Sequence, residues 1–471
     1  MPLRSRVGQH AATGAQCQNR IEDQYQVIMS LNFIPAVDGG AQAGLPIDRV
    51  VSGIASDALC KAILRFQKQH FPAQQSGFVD PGGAVLAKME MLASRPVATP
   101  DTAGVAPPNT AGQWGEFQSG SVPRALRAAL KDSHFLSHVM VVEILRATIS
   151  NGTVSTSELA DLKMLAEKSK SIMPRSKTLL ESFVKDATDK ITRLGPYRLS
   201  SSGVYAANRV CDFLRRRGHG QWPTLDRDEV GVGILMRLAY PGLLRQGGAN
   251  VCGPAAMLFN VLNDRPVTYA LYAIDLYEKG EAKLNRLSVK PMSGVRHYFS
   301  ASKIDPIDWL TMASLRSSEN WFFADIFDDP TGEGFLGEQR EGLFGATTQM
   351  EMAWWFDQAG YRDIREDANL ARHQRDTKNM DEASRLFAAG YRVCMLIDYQ
   401  MIETRHQSES GSMILMDRHW VVLRSMIDRS GGNVKMNIFT WGDGNYQVPK
   451  SGALPLDDFL MNYYGYVAAM P

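Results

Sequence analysis

Cys252 and His419 are the two residues of this chain whose types and surroundings could do covalent chemistry together. Cys252 follows Arg-Gln-Gly-Gly-Ala-Asn-Val, residues 245–251, in which Gly247, Gly248 and Asn250 make a loop, and it precedes the apolar run Gly-Pro-Ala-Ala-Met-Leu-Phe. Proline is tolerated in the first turn of a helix, where a missing N–H costs nothing. The spacing therefore predicts Cys252 at a helix N-terminus. Unpaired N–H groups and the positive end of the helix dipole favour a thiolate there, and a thiolate is the form that attacks carbonyl carbon. Gln246, six residues earlier, would lend its amide to the oxyanion that such an attack creates. The competing reading is that Cys252 is a small buried hydrophobe, as free cysteines commonly are.

A base must accompany such a thiol. The run Asp417-Arg-His-Trp-Val-Val-Leu423 reads as a strand opening with His419, the Gly-Gly turn within 428–433 follows, and residues 434–440 return as its antiparallel partner. An imidazole at that position would draw the thiol proton and later protonate a leaving amine. A third group should orient the ring. Asp443 is the nearest carboxylate and the first choice, with Asn437 and Thr440 as substitutes. Without a carboxylate the tautomer of His419 would be held less firmly. His297 is a rival base with no strand around it, and His219, between two glycines, reads as a loop residue. The bland reading of His419 is a strand histidine capped by Asp417.

The Gln-x5-Cys-Gly-Pro-Ala segment resembles the nucleophile segment of papain-like cysteine peptidases, particularly the bacteriocin-processing, double-glycine type. Further features recur in the same order: a helix 348–359 ending in Gly360-Tyr361, a short helix from Asp381 stopped by Gly390 before a buried strand, the histidine strand, and a closing helix and strand after Leu456. The resemblance covers residues 240–471. It implies an α+β, papain-like hydrolase domain, with the nucleophile helix packed on an antiparallel sheet that carries the base. Those peptidases have Asp or Asn where this chain has about Thr440-Trp441, so the pattern is broken at the third catalytic position.

The elements upstream divide into three stretches. Residues 1–93 read as a small helical domain, with one helix over 18–33 (Ile21, Tyr25, Ile28 and Met29 on one side) and another over 56–70. Its Phe66-Gln67 and Val79-Asp-Pro-Gly-Gly83 resemble, over residues 17–93, the three-helix peptidoglycan-binding domain of bacterial wall enzymes, which would make Phe66, Gln67 and Asp80 wall-binding residues. The usual threonine after the glycines is replaced by Ala84. Residues 94–115, rich in Pro, Ala, Thr and Gly, read as a linker. Residues 116–239 read as a helical region of unknown role, with Ser155-x2-Glu158 a capping box and Leu179, Leu180, Phe183, Ala187 and Ile191 at core spacing.

Composition bounds the function. Lys plus Arg number 51 against 50 Asp plus Glu, so no global field points to nucleic acid or an anionic membrane. No run approaches the ~20 apolar residues of a membrane span, and the N-terminal residues lack an apolar stretch of signal-peptide type. The five cysteines are scattered, with no Cys-x2-Cys pair to suggest zinc, and neither a metal nor another cofactor is implied. The expected activity is cleavage of amide bonds, foremost in peptidoglycan as an amidase or endopeptidase. The combination resembles antibacterial effectors exported by contact-dependent machines such as the type VI system, acting in the periplasm or cytoplasm of a target cell, with an immunity protein and a secretion-machine component as partners. Two alternatives remain: a cysteine protease or glutamine deamidase acting on a target-cell protein, and a non-catalytic wall-binding protein.

Overall fold

The computed structural model describes residues 3, 5–8, 17–34, 36–41, 45, 53–93, 116–130, 136–168, 172–216, 218–247, 251–296, 304–319, 347–368, 377–398, 401–402 and 418–471. Gly248, Asn250, His297, Asp417, the linker 94–115, the run 321–327 and most of the polar loop 400–412 lie outside the described residues. The chain forms two compact units: Met1–Glu116 with Ser200–Tyr205, and Phe117–Leu199 with Ala206–Pro471.

Among the described residues of Met1–Glu116, the first unit holds helices α1 (Ile21–Phe33), α2 (Asp57–His70) and α3 (Ala84–Ala93), and the short antiparallel pair β1 (Val7–Gly8) and β2 (Phe78–Val79). Ser56 starts α2 by accepting the Leu59 N–H at 3.2 Å, which satisfies one of the unpaired donors of the first turn. Leu59, Ile63 and Phe66 then fall at helical spacing onto a core shared with Val27, Ile28, Leu31, Leu86 and Met89. The side chains of Ile21, Tyr25 and Met29 lie outside those described.

The second unit opens with helices α4 (Ser121–Ala129), α5 (His138–Ile149), α6 (Thr156–Glu167) and α7 (Pro174–Leu194). The expected capping box is present: the Ser155 hydroxyl accepts from the Glu158 N–H, and Glu158 accepts from the Ser155 N–H. β3 (Thr153–Val154) and β4 (Tyr197–Arg198) clip the ends of this helical layer together. Helix α8 (Ser201–Leu214), which belongs to this unit from Ala206 on, and helix α9 (Arg227–Ala239) follow, the latter capped by Asp226, whose side chain accepts from the N–H groups of Asp228 and Glu229.

Helix α10 (Cys252–Asp264) comes next, then α11 (Pro266–Lys279) and the hairpin β5 (Ala282–Leu284) and β6 (Leu287–Val289). A helical stretch over 306–319 follows, its middle turn, Trp309–Ala313, of the wide π type. Helix α12 (Gln349–Gln358) is capped by a second box, Thr348 with Glu351. The main sheet holds β7 (Arg362–Ala368), β8 (Arg392–Asp398), β9 (Arg418–Leu423), β10 (Met436–Thr440), β11 (Asp443–Val448) and β12 (Tyr463–Met470), in the order β11-β10-β9-β8-β12-β7, antiparallel throughout. Helices α13 (Thr377–Ala388) and α14 (Leu456–Met461) cover one face, over Val393, Met395, Val421, Leu423, Met436 and Ile438.

Helix α10 packs on the other face. Phe259 stacks on Phe439 with ring centroids 3.9 Å apart, and the Asn260 amide reaches the Cys394 sulfur at 3.4 Å. Nearly every side chain of α10 is buried, so its position on the sheet is fixed by packing all round. The architecture is α+β. Among the described residues no helix is long and apolar enough to cross a membrane.

Candidate active site

The ladder between β9 and β10 ends early, and the site forms at that end. The Arg424 N–H donates to the Asn437 carbonyl, and alternation of amides along a strand then points Val422 and Trp420 toward the same neighbour. Val422 is paired with Phe439, the last paired residue of β10 on that side. The next amide, of Trp420, has no strand to meet. It faces the sulfur of Cys252 instead, and lowers the thiol pKa from there.

Cys252 is the first residue of α10, and the residue before it offers no side-chain cap. The amides of the first helical turn are thus left for other acceptors, and the thiol lies among the N–H groups of Cys252, Gly253 and Trp420. Burial raises the thiol pKa above its ordinary value, and those three amides and the positive charge of Arg316 offset only part of that rise. Cys252 is partly exposed, whereas Cys17, Cys60, Cys211 and Cys394 are buried. Burial pushes the Cys211 thiol up to about 12, with the Glu143 and Asp212 charges adding to it.

His419 opens β9 and is buried, with 5% of its surface exposed. Its Nε2 lies 2.7 Å from the Thr440 hydroxyl. Among the described residues Nδ1 has no hydrogen-bond partner, so it is the nitrogen available to take a proton. Burial lowers the His419 pKa to about 4, which keeps the ring neutral at ordinary pH.

The structure therefore brings Thr440, not Asp443, to the ring. Trp441 and Gly442 form the hairpin turn between β10 and β11, with φ of 48° and 83°, the left-handed pair that a two-residue hairpin needs. Beyond this turn the exposed Asp443 accepts the Asn445 N–H at 2.8 Å. Its carboxylate is spent on its own turn. Asn437 sits three residues before Thr440 in β10. The turn also lays the Trp441 indole on the imidazole, with ring centroids 5.2 Å apart and planes at 30°.

Gln246 lies partly exposed in the loop before α10, and among the described residues its amide makes no hydrogen bond. That loop is held from both sides. A Cβ on Gly242 would overlap Gly444 at the start of β11, and the Arg245 N–H donates to Asp308 at 3.0 Å. Asp308 is fully buried and paired with Arg237 of α9 at 2.6 Å. The carboxylates of Asp308 and Asp305 keep the Arg237 guanidinium charged despite its burial. Helix α9 thus reaches the loop before Cys252 through this buried ion pair.

Two further residues complete the surroundings and carried no motif. Thr347 lies so close to the start of α10 that a Cβ on Gly253 would overlap its hydroxyl, and its carbonyl accepts the Trp420 indole N–H at 2.8 Å. Arg316 is buried, with Nη1 3.5 Å from the Thr347 hydroxyl and 3.5 Å from Glu351. Among the described residues no group of three or more His, Cys, Asp and Glu could hold a metal ion.

In the first unit, Phe66 and Gln67 are fully buried. Gln67 donates to the Phe78 carbonyl at 2.8 Å and to Ser76, and accepts the Gly77 N–H at 2.9 Å, so it pins the turn before β2. Asp80 accepts from Arg6 at 2.6 Å and is partly exposed. Of the three, only Asp80 presents atoms that a ligand could reach. A cleft of about 550 Å3 in this unit is lined elsewhere, by residues that include Asn19, Ile54, Asp57 and Lys61.

No protein-family model, no curated protein and no solved structure matches this chain.

Proposed function

We propose that this chain is a cysteine hydrolase of amide bonds, with a papain-like disposition of nucleophile helix and base strand, and that its substrate is the peptide of peptidoglycan. The single observation that carries the reading is the meeting of the start of α10 with the His419 strand: Thr347 lies against Gly253 and accepts the Trp420 indole N–H at 2.8 Å, and the Trp420 amide, next to His419, lowers the Cys252 thiol pKa. It joins the predicted nucleophile and the predicted base strand, 167 positions apart in the chain, at one place.

In this reading the Cys252 sulfur attacks the carbonyl carbon while its proton passes to Nδ1 of His419. The negative oxygen that develops is met by amides at the start of α10 and by Gln246. Collapse breaks the C–N bond, and His419 returns the proton to the leaving amine. A thioester on Cys252 remains. Water, losing a proton to His419, attacks it, and the proton then returns to sulfur as the acid leaves. Thr440 takes the place usually given to a carboxylate and holds Nε2.

The substrate rests on the likeness of the first unit to wall-binding domains, and the reading extends to an effector that acts on the wall of another cell. The test is incubation of the full chain with purified sacculi, following new amino groups and solubilised fragments. Release that is lost in both Cys252→Ala and His419→Ala is the expected result. The burial of Phe66 and Gln67 favours a second reading, in which the same chemistry acts on a protein. Cleavage or deamidation of protein substrates that depends on Cys252, with sacculi untouched, would replace the wall by that target.

A further inference from the structure

A thiol that must become a thiolate needs positive potential, and the usual source beside a cysteine nucleophile is a protonated imidazole. Here that source is weak. His419 is buried, its Nε2 faces a neutral hydroxyl instead of a carboxylate, and burial lowers its pKa to about 4. A hydroxyl can donate or accept, so it does not favour the imidazolium as an acceptor-only carboxylate would.

A permanent cation lies close by. Arg316, in the helical stretch 306–319, is 4% exposed, and its charge acts on the Cys252 sulfur. Its guanidinium is 3.5 Å from the hydroxyl of Thr347, and that hydroxyl is in turn pressed against Gly253, the residue after the nucleophile. Thr347 is itself held by the Trp420 indole, whose own backbone amide meets the sulfur. Thr347 thus touches Arg316, Gly253 and Trp420, and so joins the guanidinium to both elements beside the thiol. Glu351 of α12 lies 3.5 Å from the same guanidinium nitrogen and partly balances its charge.

We propose that Arg316 is a positioning residue that sustains the thiolate of Cys252 with a fixed charge, and that Glu351 sets how much of that charge the sulfur feels. Among the described residues, the charged and titratable groups around the sulfur are then Arg316 from the helical stretch, Glu351 beside it on α12 and His419 on β9. Arginine stays protonated at every working pH, so the field on the sulfur does not switch off as an imidazolium's does. The inference rests on the reading of Cys252 as nucleophile and deepens it.

The test measures alkylation of Cys252 by iodoacetamide across pH, by peptide mass mapping of the full chain, in the unaltered protein and in Arg316→Met and Glu351→Gln. The amide of Gln keeps an acceptor for the Thr348 N–H, so the α12 cap survives. Arg316→Met moves the rate profile to higher pH and slows alkylation at neutral pH roughly tenfold, and Glu351→Gln moves it the other way by a few-fold. Opposite shifts with an unchanged rate at high pH are the signature of charge; a packing role would not produce them. Should Arg316→Met fail to fold, Glu351→Gln alone decides, and no acceleration in it overturns the inference. Normal reactivity that neither variant moves also overturns it while leaving the nucleophile reading intact. A Cys252 that resists alkylation in the unaltered protein, even well above the ordinary thiol range, overturns both.

Discussion

Replacing Thr440 by valine isolates what the third position does. Valine keeps the shape and the branched Cβ and removes only the hydroxyl that lies 2.7 Å from Nε2 of His419. Both residues are buried, 5% and 2% exposed, so water does not readily replace the lost partner. An unpartnered buried polar group costs about 1–3 kcal/mol. That cost is larger once the ring takes the thiol proton, because the imidazolium needs acceptors at both nitrogens. A loss of roughly 1.4–2.8 kcal/mol at that step slows it about 10- to 100-fold. The assay needs no substrate: it is the rate at which iodoacetamide modifies Cys252 at neutral pH, alongside cleavage of sacculi once that is measured. Thr440→Asp should act in the opposite direction on the ring, because a carboxylate at Nε2 favours the charged form and lifts the His419 pKa from about 4. Asp443→Asn should change either rate less than about twofold, since its carboxylate serves the Asn445 amide. A slow Asp443→Asn beside an unaffected Thr440→Val would refute the assignment.

Two further predictions follow from burial and from close packing. Because the folded protein holds His419 near pKa 4 against an ordinary 6.5, neutral His419 contributes stability above pH 6.5 that is lost as pH falls toward 4, about 3 kcal/mol in all; chemical unfolding across this range should show the slope, and His419→Gln should flatten it. Gly253→Ala places a methyl where the Thr347 hydroxyl stands, so denaturant unfolding should report a loss of about 1–3 kcal/mol, accompanied by slower Cys252 alkylation as Thr347 is displaced.

Much of the site was legible where the signal is local. Gly253-Pro254 before an apolar run marks a helix start whatever surrounds it, and α10 begins at Cys252 as that pattern predicts. The Gly-Gly turn between two apolar runs likewise announced β9 and β10. The choice between Thr440 and Asp443 was not local in the same way. It depends on a two-residue turn built from Trp441-Gly442, and a tryptophan at positive φ is not among the signals that such turns give in sequence. Arg316 lies 64 positions after Cys252 and arrives by tertiary packing alone; its sequence context, Ser-Leu-Arg-Ser-Ser-Glu, reads as a solvated helix end. Arg237 and Asp308 are hidden for the same reason, since neither has its partner within reach along the chain. Phe66-Gln67 failed differently. A motif can mark residues that face a ligand or residues that pin a turn, and the structure gives them the second task.

Trp441 ties these points together. Its φ of 48° places a bulky side chain in a region that costs about 1–3 kcal/mol and is kept only where the surroundings enforce it. Asparagine or glycine would make the same turn without that cost. What the tryptophan adds is its indole against the His419 ring, which deepens the burial that holds the imidazole neutral. The strain, the neutral hydroxyl of Thr440 and the fixed charge of Arg316 then act in one direction. In the proposed mechanism they would separate the two tasks that a protonated histidine performs together in a thiolate–imidazolium pair: the cation that steadies sulfur would be permanent, and the base would stay free to accept a proton.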